Sequence, residues 1–368
     1  MPQSANRGDN ASHLNFERAL AGERVLVTGH TGFTGSWLAL WLRATGAEVT
    51  GFALPPSTEP NLFTAARVDQ HLTSRIGDIR DFAAVARVMA DAQPRIVFHL
   101  AAQPLVSRSF ADPLETIATN VVGTANVLEA ARLQPGVGAF VCVTTDKVYA
   151  DDDGRRGYRE ADRLGGRDPY GASKAGAELV AACYRATMVA RGNGMRVATA
   201  RGGNIIGGGD WSDDRIVPDF VRAAVAETPL VLRNPTAVRP WQHVLALVHG
   251  YLMLASRLVQ GRDDCAGAFN FGPAETDAMP VVSLVERLAA AWKRPDVRHE
   301  PGSFPEAPFL SLDSSMARKT LGWHPPLTIE EAVRLTSDWY RDFYARPASA
   351  WELTRRQIDD YRRRIGAG

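Results

Sequence analysis

The sequence predicts an α/β protein: a doubly wound parallel sheet with helices on both faces, joined to a smaller, partly interleaved α/β unit. Two observations carry this. Through the first two hundred residues, β-rich apolar runs alternate with amphipathic segments of helical period, the mark of a parallel sheet covered on both sides. After Arg201 the pattern changes to glycine-rich turns such as GGNIIGGGD, proline-marked short segments and isolated helices, with one more strand-like run at AFNFGP. That run reads as a strand returning to the sheet near residues 266–272.

Taken in order, the leader over residues 1–21 is polar and lacks the apolar centre of a signal peptide, so it is expected to be a flexible tail. ERVLVT is the first strand, and EVTGFAL, RIVFHLA, AFVCVTT and RVATA follow, each separated by a helical pattern. VFHLA and FVCVTT are apolar on both faces, as suits central strands buried on two sides. Residues 22–204 form this sheet unit and 205–345 the second unit. The last forty residues read as two polar helices broken near Pro347, with 346–368 forming the terminal one.

With 368 residues, 45% of them hydrophobic, the chain can bury one large core and a smaller one. The 42 basic and 41 acidic residues balance to a formal net charge of +1. No one-sided basic block points to nucleic acid or an anionic membrane, and no apolar run reaches the length of about 18 residues that a membrane span needs. Cys142, Cys183 and Cys265 are widely spaced and contain no CxxC pair, which argues against a disulfide framework or a structural metal. A reducing, cytoplasmic location without a metal is the expectation.

In VLVTGHTGFTGSWL, Gly29, Gly32 and Gly35 lie between a hydrophobic strand and a helical pattern. Glycines there permit a tight turn and let backbone N–H groups and a helix N-terminus approach a pyrophosphate. The second strand, GFALPPS, offers no carboxylate before Glu59, and no arginine lies between Gly51 and Asn61 to clasp a 2′-phosphate. NAD rather than NADP is the cofactor expected.

Only four of the 42 basic residues are lysine, and two of those, Lys147 and Lys174, stand in the motifs TTDKVY and YGASK. Lysine can surrender its proton where arginine essentially cannot. Tyr170 and Lys174 are four apart on a predicted helix and share a face. A fixed ammonium beside a phenol stabilises the phenolate and makes tyrosine a usable base. Thr145, closing AFVCVTT, supplies a hydroxyl to hold a substrate oxygen. Set in a dinucleotide-binding pattern, this trio points to hydride transfer at a carbinol.

The GxxGxxG spacing, with GDIRD at 77–81, HLAAQP at 99–104 and NVVGT at 120–124, resembles the extended short-chain dehydrogenase/reductase family. The resemblance implies a Rossmann-type sheet. It also implies cofactor contacts from Gly29, Thr31, Gly32, Phe33, Gly35, Ile79, Leu100, Gln103, Thr144, Tyr170 and Lys174. Asp78 is implied to sit against adenine, Ala101 and Ala102 to leave room for the cofactor, and Asn120 to support the active-site backbone.

Asp146 and Lys147 directly follow Thr145. Nucleotide-sugar 4,6-dehydratases carry an acid–base couple at these two places, mostly aspartate and glutamate. The lysine version resembles the branch that acts on CDP-glucose. That resemblance runs through PNLF, GYRE, GGRDPY, GNIIGGGDW, DRIVPD, RNPTAVRPWQHVL and LGWHPP, over roughly residues 22–340.

The implied reaction is a net loss of water. Tyr170 takes the proton of the sugar 4-hydroxyl while hydride leaves C4 for NAD, and the new ketone acidifies C5–H. Asp146 protonates the departing 6-hydroxyl, Lys147 removes the C5 proton or, kept charged, stabilises the enolate, and hydride returns to C6. Asn204, Arg215, Arg233 and Arg239 are the implied contacts to the nucleotide sugar, with arginine suited to a diphosphate. Trp241 and His243 are given no chemistry. The resemblance further implies a homodimer, possibly a tetramer, formed through helices near 112–133 and 170–190.

Four places depart from the pattern: Thr34 in the glycine loop, SRS at 107–109, Gly202, and YADDDGRRGYRE at 149–160, which lacks the expected asparagine and tryptophans. The alternatives are a dehydratase of another NDP-hexose, an NDP-sugar 4-epimerase, and a non-catalytic NAD-binding sensor.

Overall fold

The computed structural model describes residues 16–150, 156–188, 194–273, 278–300 and 309–366. Its centre is a sheet of seven strands: β1 (Arg24–Thr28), β2 (Glu48–Ala53), β3 (Thr73–Ile76), β4 (Ile96–His99), β5 (Ala139–Val143), β6 (Arg196–Gly202) and β7 (Ala268–Phe271). Their order is β7-β6-β5-β4-β1-β2-β3, and every neighbouring pair is parallel. The order reverses between β1 and β4, where Thr28 pairs with His99. A crevice opens outside the carboxyl ends of the strands at such a reversal, which is where open α/β sheets bind ligands.

The alternation of side chains feeds two cores. Val25, Val27, Ile96, Phe98 and Val141 pack into one, and Leu26, Val97, Phe140, Cys142 and Val197 into the other. The first is covered by α1 (Phe33–Ala44), with Trp37 and Trp41 fully buried. The second is covered by α2 (Phe82–Ala92) and α3 (Gly123–Leu133), and helix α4 (Pro169–Cys183) packs against α3 beside it.

β3 is a strand the sequence pattern did not announce. Its residues, TSRI, are mostly exposed at the sheet edge. Without a buried face an edge strand need show no hydrophobic run, and a charged residue such as Arg75 discourages further pairing.

Beyond Gly202 the chain forms α5 (Ile216–Ala226) and three two-stranded ladders. They pair 205–206 with 242–243, 230–232 with 297–299, and 238–239 with 279–280. Between these ladders the chain goes back to the main sheet: α6 (Val244–Val259) packs on β5 and β6, and β7 adds to the β6 edge. The interleaving is therefore deeper than one returning strand. Helices α7 (Ile329–Ala345) and α8 (Ala350–Arg364) flank a short turn at Pro347–Ser349, as the break near Pro347 predicts. Thr328 and Glu331 close a capping box at the start of α7.

The expected flexible tail does not hold for residues 16–21. Phe16 is buried against Trp41 and His249. Glu17 accepts hydrogen bonds from Trp41 Nε1 (2.9 Å) and from Arg362 Nε (2.8 Å) of α8. A carboxylate held by a guanidinium and an indole N–H, with an aromatic bed beside it, fixes this turn. Residues 1–15 lie outside the described residues. No helix of the described residues is long and apolar enough to cross a membrane.

Candidate active site

The glycine loop caps β1. Gly29 takes a left-handed conformation (φ 81°), and a Cβ there would stand 2.6 Å from the Ala101 nitrogen. A Cβ on Gly35 would meet the Gly29 carbonyl at 2.0 Å. Both positions therefore require glycine. Gly32 is the N-cap of α1 and supplies no side-chain cap, so the first-turn N–H groups and the positive end of the helix are left for an anion. Phe33 follows half-buried. This donor set, with small Ala101 and Ala102 across the crevice, fits a dinucleotide pyrophosphate. Thr31 spends its hydroxyl on the Leu54 carbonyl (2.8 Å), which ties the loop to the end of β2.

Just past β3, Asp78, the residue expected against adenine, accepts from Arg80 Nε at 2.8 Å and from the Arg80 backbone at 2.9 Å. That guanidinium holds its carboxyl below the usual range. Ile79 packs where a Cβ on Gly123 would clash. Next to Leu100, the loop after β4 is fastened by Asn120. Its Oδ1 accepts from Gln103 N (2.8 Å), and its Nδ2 donates to Gln103 O (3.1 Å) and to Ser173 Oγ on α4 (2.8 Å). Asn120 sits in a π-turn, Ala118–Val122, a local widening often found at functional sites.

The catalytic candidates converge at the carboxyl end of β5. Asp168 N-caps α4 by accepting from Gly171 N (2.8 Å), and Pro169 opens the helix. Tyr170 and Lys174 thereby lie one turn apart, both buried. Thr145 caps a short 3₁₀ turn, Asp146–Val148, and donates to Asp146 Oδ1 at 3.0 Å. Asp146 is 2% exposed, and its other oxygen, Oδ2, is buried with no protein partner. Burial pushes this carboxyl up, with Lys147, the Thr145 hydroxyl and Arg239 opposing. The Oδ2 atom lies against Gly203, where a Cβ would come within 1.8 Å of it.

Burial also pushes the Tyr170 phenol up to about 12; a hydrogen bond with Thr145 opposes it, and Asp146, Arg215 and Asp168 are the charges it senses. Lys174 donates to the Val143 carbonyl (3.1 Å), and burial lowers its ammonium against the pull of Cys142 and Glu178. The ammonium expected to draw the phenol down is thus held by the end of β5, and the Thr145 hydroxyl and the Arg215 charge act in that direction instead.

Two of the arginines expected to contact the nucleotide sugar stand at this centre. Arg239, 6% exposed, donates to the Val238 carbonyl (2.9 Å) and is close enough to act on Asp146. Arg215 donates to Asp210 Oδ2 (2.8 Å) and acts on Tyr170. Asn204 takes a left-handed conformation (φ 47°), and its carbonyl accepts from Gln242 N (3.2 Å). Arg233 is different: it is half-exposed and paired with Asp214. Trp241 and His243 are buried packing residues. No group of three or more His, Cys, Asp or Glu side chains that could hold a metal occurs among the described residues.

Sequence reasoning missed the network behind Thr144. The Thr144 hydroxyl donates to Glu178 Oε1 at 2.5 Å, so this expected cofactor contact has its hydroxyl committed to the protein. Glu178 Oε2 accepts from Thr199 Oγ1 (2.7 Å) and Arg201 Nη2 (2.8 Å). Arg201 donates to the Tyr149 hydroxyl (2.9 Å), which donates to Asn270 Oδ1 (2.6 Å). The spacing Tyr170–Lys174–Glu178 was the available signal for Glu178, since four-residue steps share a helix face. In the departing 149–160 stretch, Tyr149 stacks on Tyr158 (4.7 Å, 2°) and Tyr158 bridges to Leu312; residues 151–155 lie outside the described residues.

A family model described as GDP-mannose 4,6 dehydratase matches residues 26–336. The chain is 41% identical to the CDP-glucose 4,6-dehydratase of Salmonella typhimurium, over 92% of this chain and 96% of that protein. The dTDP-glucose 4,6-dehydratase of Streptomyces venezuelae, solved with NAD bound, has a TM-score of 0.74 at 28% identity, covering 88% of this chain and 99% of that one. The UDP-glucose 4-epimerase of Thermus thermophilus, in complex with NAD, has a TM-score of 0.76 at 26% identity, covering 86% and 99%. The chain belongs to the GDP-mannose 4,6-dehydratase family, the nucleotide-sugar dehydratases of the extended short-chain dehydrogenases/reductases.

Proposed function

We propose that the chain dehydrates a nucleotide-activated hexose in an NAD-dependent reaction, CDP-D-glucose to CDP-4-keto-6-deoxy-D-glucose. The observation that carries the reading is Asp146. A buried carboxyl pushed upward, with one oxygen free of protein partners and a lysine next in sequence, is built to hold a proton and release it to a leaving oxygen. An epimerase has no use for such an acid. NAD, when bound, supplies the hydride acceptor at C4 and gives the hydride back at C6.

The residues do the remaining work. Thr145 orients the sugar 4-oxygen, and Tyr170 accepts its proton within reach of the same hydroxyl. Asp146 protonates the 6-hydroxyl as it departs. Lys147 takes the C5 proton. Arg215 and Arg239 bind the diphosphate, oriented by Asp210 and the Val238 carbonyl, and Asn204 contacts the sugar nucleotide. Support for cytidine over other bases comes from the 41% identical relative.

The reading extends to a cytoplasmic homodimer. Leu114, Ile117 and Leu179 are exposed at 78%, 46% and 61% on the helical stretch before α3 and on α4, an apolar face suited to a second copy. The test incubates the protein with NAD and CDP-, dTDP-, UDP- or GDP-glucose. A product lighter by one water from CDP-glucose, without accumulating NADH, is expected. An isomer of unchanged mass would instead make the chain a 4-epimerase.

A further inference from the structure

The segment that carries Thr145, Asp146 and Lys147 has a buried ion pair at its back. Glu178 and Arg201 meet at 2.8 Å with side chains only 3% and 4% exposed. Taking two charges out of water is costly, and apolar residues of similar volume often serve stability equally well. The presence of this pair therefore asks for a reason beyond stability.

Its partners supply one. Glu178 receives the hydroxyl of Thr144, the residue just before Thr145. Arg201 donates to the hydroxyl of Tyr149, just past the 3₁₀ turn, and its guanidinium lies 5.1 Å from the centre of that ring. One ion pair thus grips the catalytic segment at both of its ends.

Glu178 also stands on the face of α4 that bears Tyr170 and Lys174, at steps of four residues. Thr144 is held a second time by its backbone, which donates to the Ala200 carbonyl at 2.9 Å. Tyr149 is likewise held by Asn270, whose backbone N–H binds Glu160 Oε1 at 2.8 Å. The carboxylate therefore joins three elements: the end of β5, strand β6 and helix α4.

We propose that Glu178 and Arg201 are positioning residues, a two-ended clamp that sets the catalytic segment 144–149 against the Tyr170–Lys174 face of α4. This rests on the function proposed above. Neither side chain touches the sugar. The pair acts by fixing where the Thr145 hydroxyl and the Asp146 carboxyl stand relative to the phenol, and a misplacement of about 1 Å costs on the order of 10²-fold in rate.

The test uses the full chain and three substitutions outside the ion pair itself. Thr144→Val removes one grip, Tyr149→Phe the other, and Thr144→Ser restores a hydroxyl at the first. With CDP-glucose and NAD, Thr144→Val and Tyr149→Phe are expected to lower kcat roughly 10- to 100-fold with KM little changed, while Thr144→Ser stays near the wild type. Amide hydrogen exchange over 144–149 should quicken in the first two variants and not in the third.

A Thr144→Val protein that melts like the wild type and keeps both its kcat and its exchange protection would overturn the clamp. So would a Thr144→Ser protein as slow as Thr144→Val. If the wild type turned over no nucleotide sugar, the proposed function would fall. The exchange readout would still decide the clamp, since it needs no turnover.

Discussion

A Cβ on Gly203 would lie 1.8 Å from the unpartnered Oδ2 of Asp146. The end of β6 thus leaves, by lacking a side chain, the space in which the proposed acid sits. Gly203→Ala must push the carboxyl or its strand aside. The expected result is a folded protein with dehydratase kcat lowered by about 10²-fold, measured at saturating CDP-glucose.

The Asp146 carboxyl is raised by burial, and this gives its pH behaviour a definite sign. Because its folded value lies above the unfolded one, the stability it contributes is present at acidic pH and lost as pH rises through the raised value. Activity that needs the protonated form declines over the same interval. Asp146→Asn should flatten the fall in melting temperature that accompanies rising pH while abolishing elimination. Thermal melts of both proteins across pH check the first part, and water loss from the product checks the second.

Lys147→Arg separates two duties of one side chain. Arginine keeps the charge but essentially never gives up its proton. If Lys147 takes the C5 proton, the variant should lose solvent-deuterium incorporation at C5, roughly 10²- to 10⁴-fold for a lost general base. Near-normal exchange would assign it to enolate stabilisation instead. Mass spectrometry of the product in D₂O reads the difference.

Leu179, 61% exposed on α4, is the most direct probe of the apolar face. Leu179→Arg should convert a dimer to a monomer in light scattering. A wild type already monomeric at micromolar concentration would contradict the inferred assembly.

The two-sided strands were legible because burial on both faces writes long apolar runs, and the return of β7 was legible from Phe269 and Phe271 alternating about Asn270. β3 was not, since TSRI faces solvent at the sheet edge and carries no hydrophobic signature. The residues joined at the site came from local motifs: a turn that needs Gly29, a helix that puts Tyr170 and Lys174 on one face, and the Thr145–Asp146–Lys147 run. What lay hidden was non-local. Glu178, Thr199, Arg201 and Asn270 each read as ordinary polar residues until β5, β6, β7 and α4 bring them into one hydrogen-bonded group. The aromatic bed around Phe16 escaped for the same reason, because its partners Trp41, His249 and Tyr361 are far apart in the chain.

Between its small ladders the chain goes back to lay α6 on β5 and β6 and to add β7. The two halves of the molecule are consequently woven rather than strung in series. Neither could be excised as a free-standing cassette or swapped whole for another specificity. A new sugar or base has to be accommodated by rewriting loops around a common scaffold, not by exchanging one unit for another.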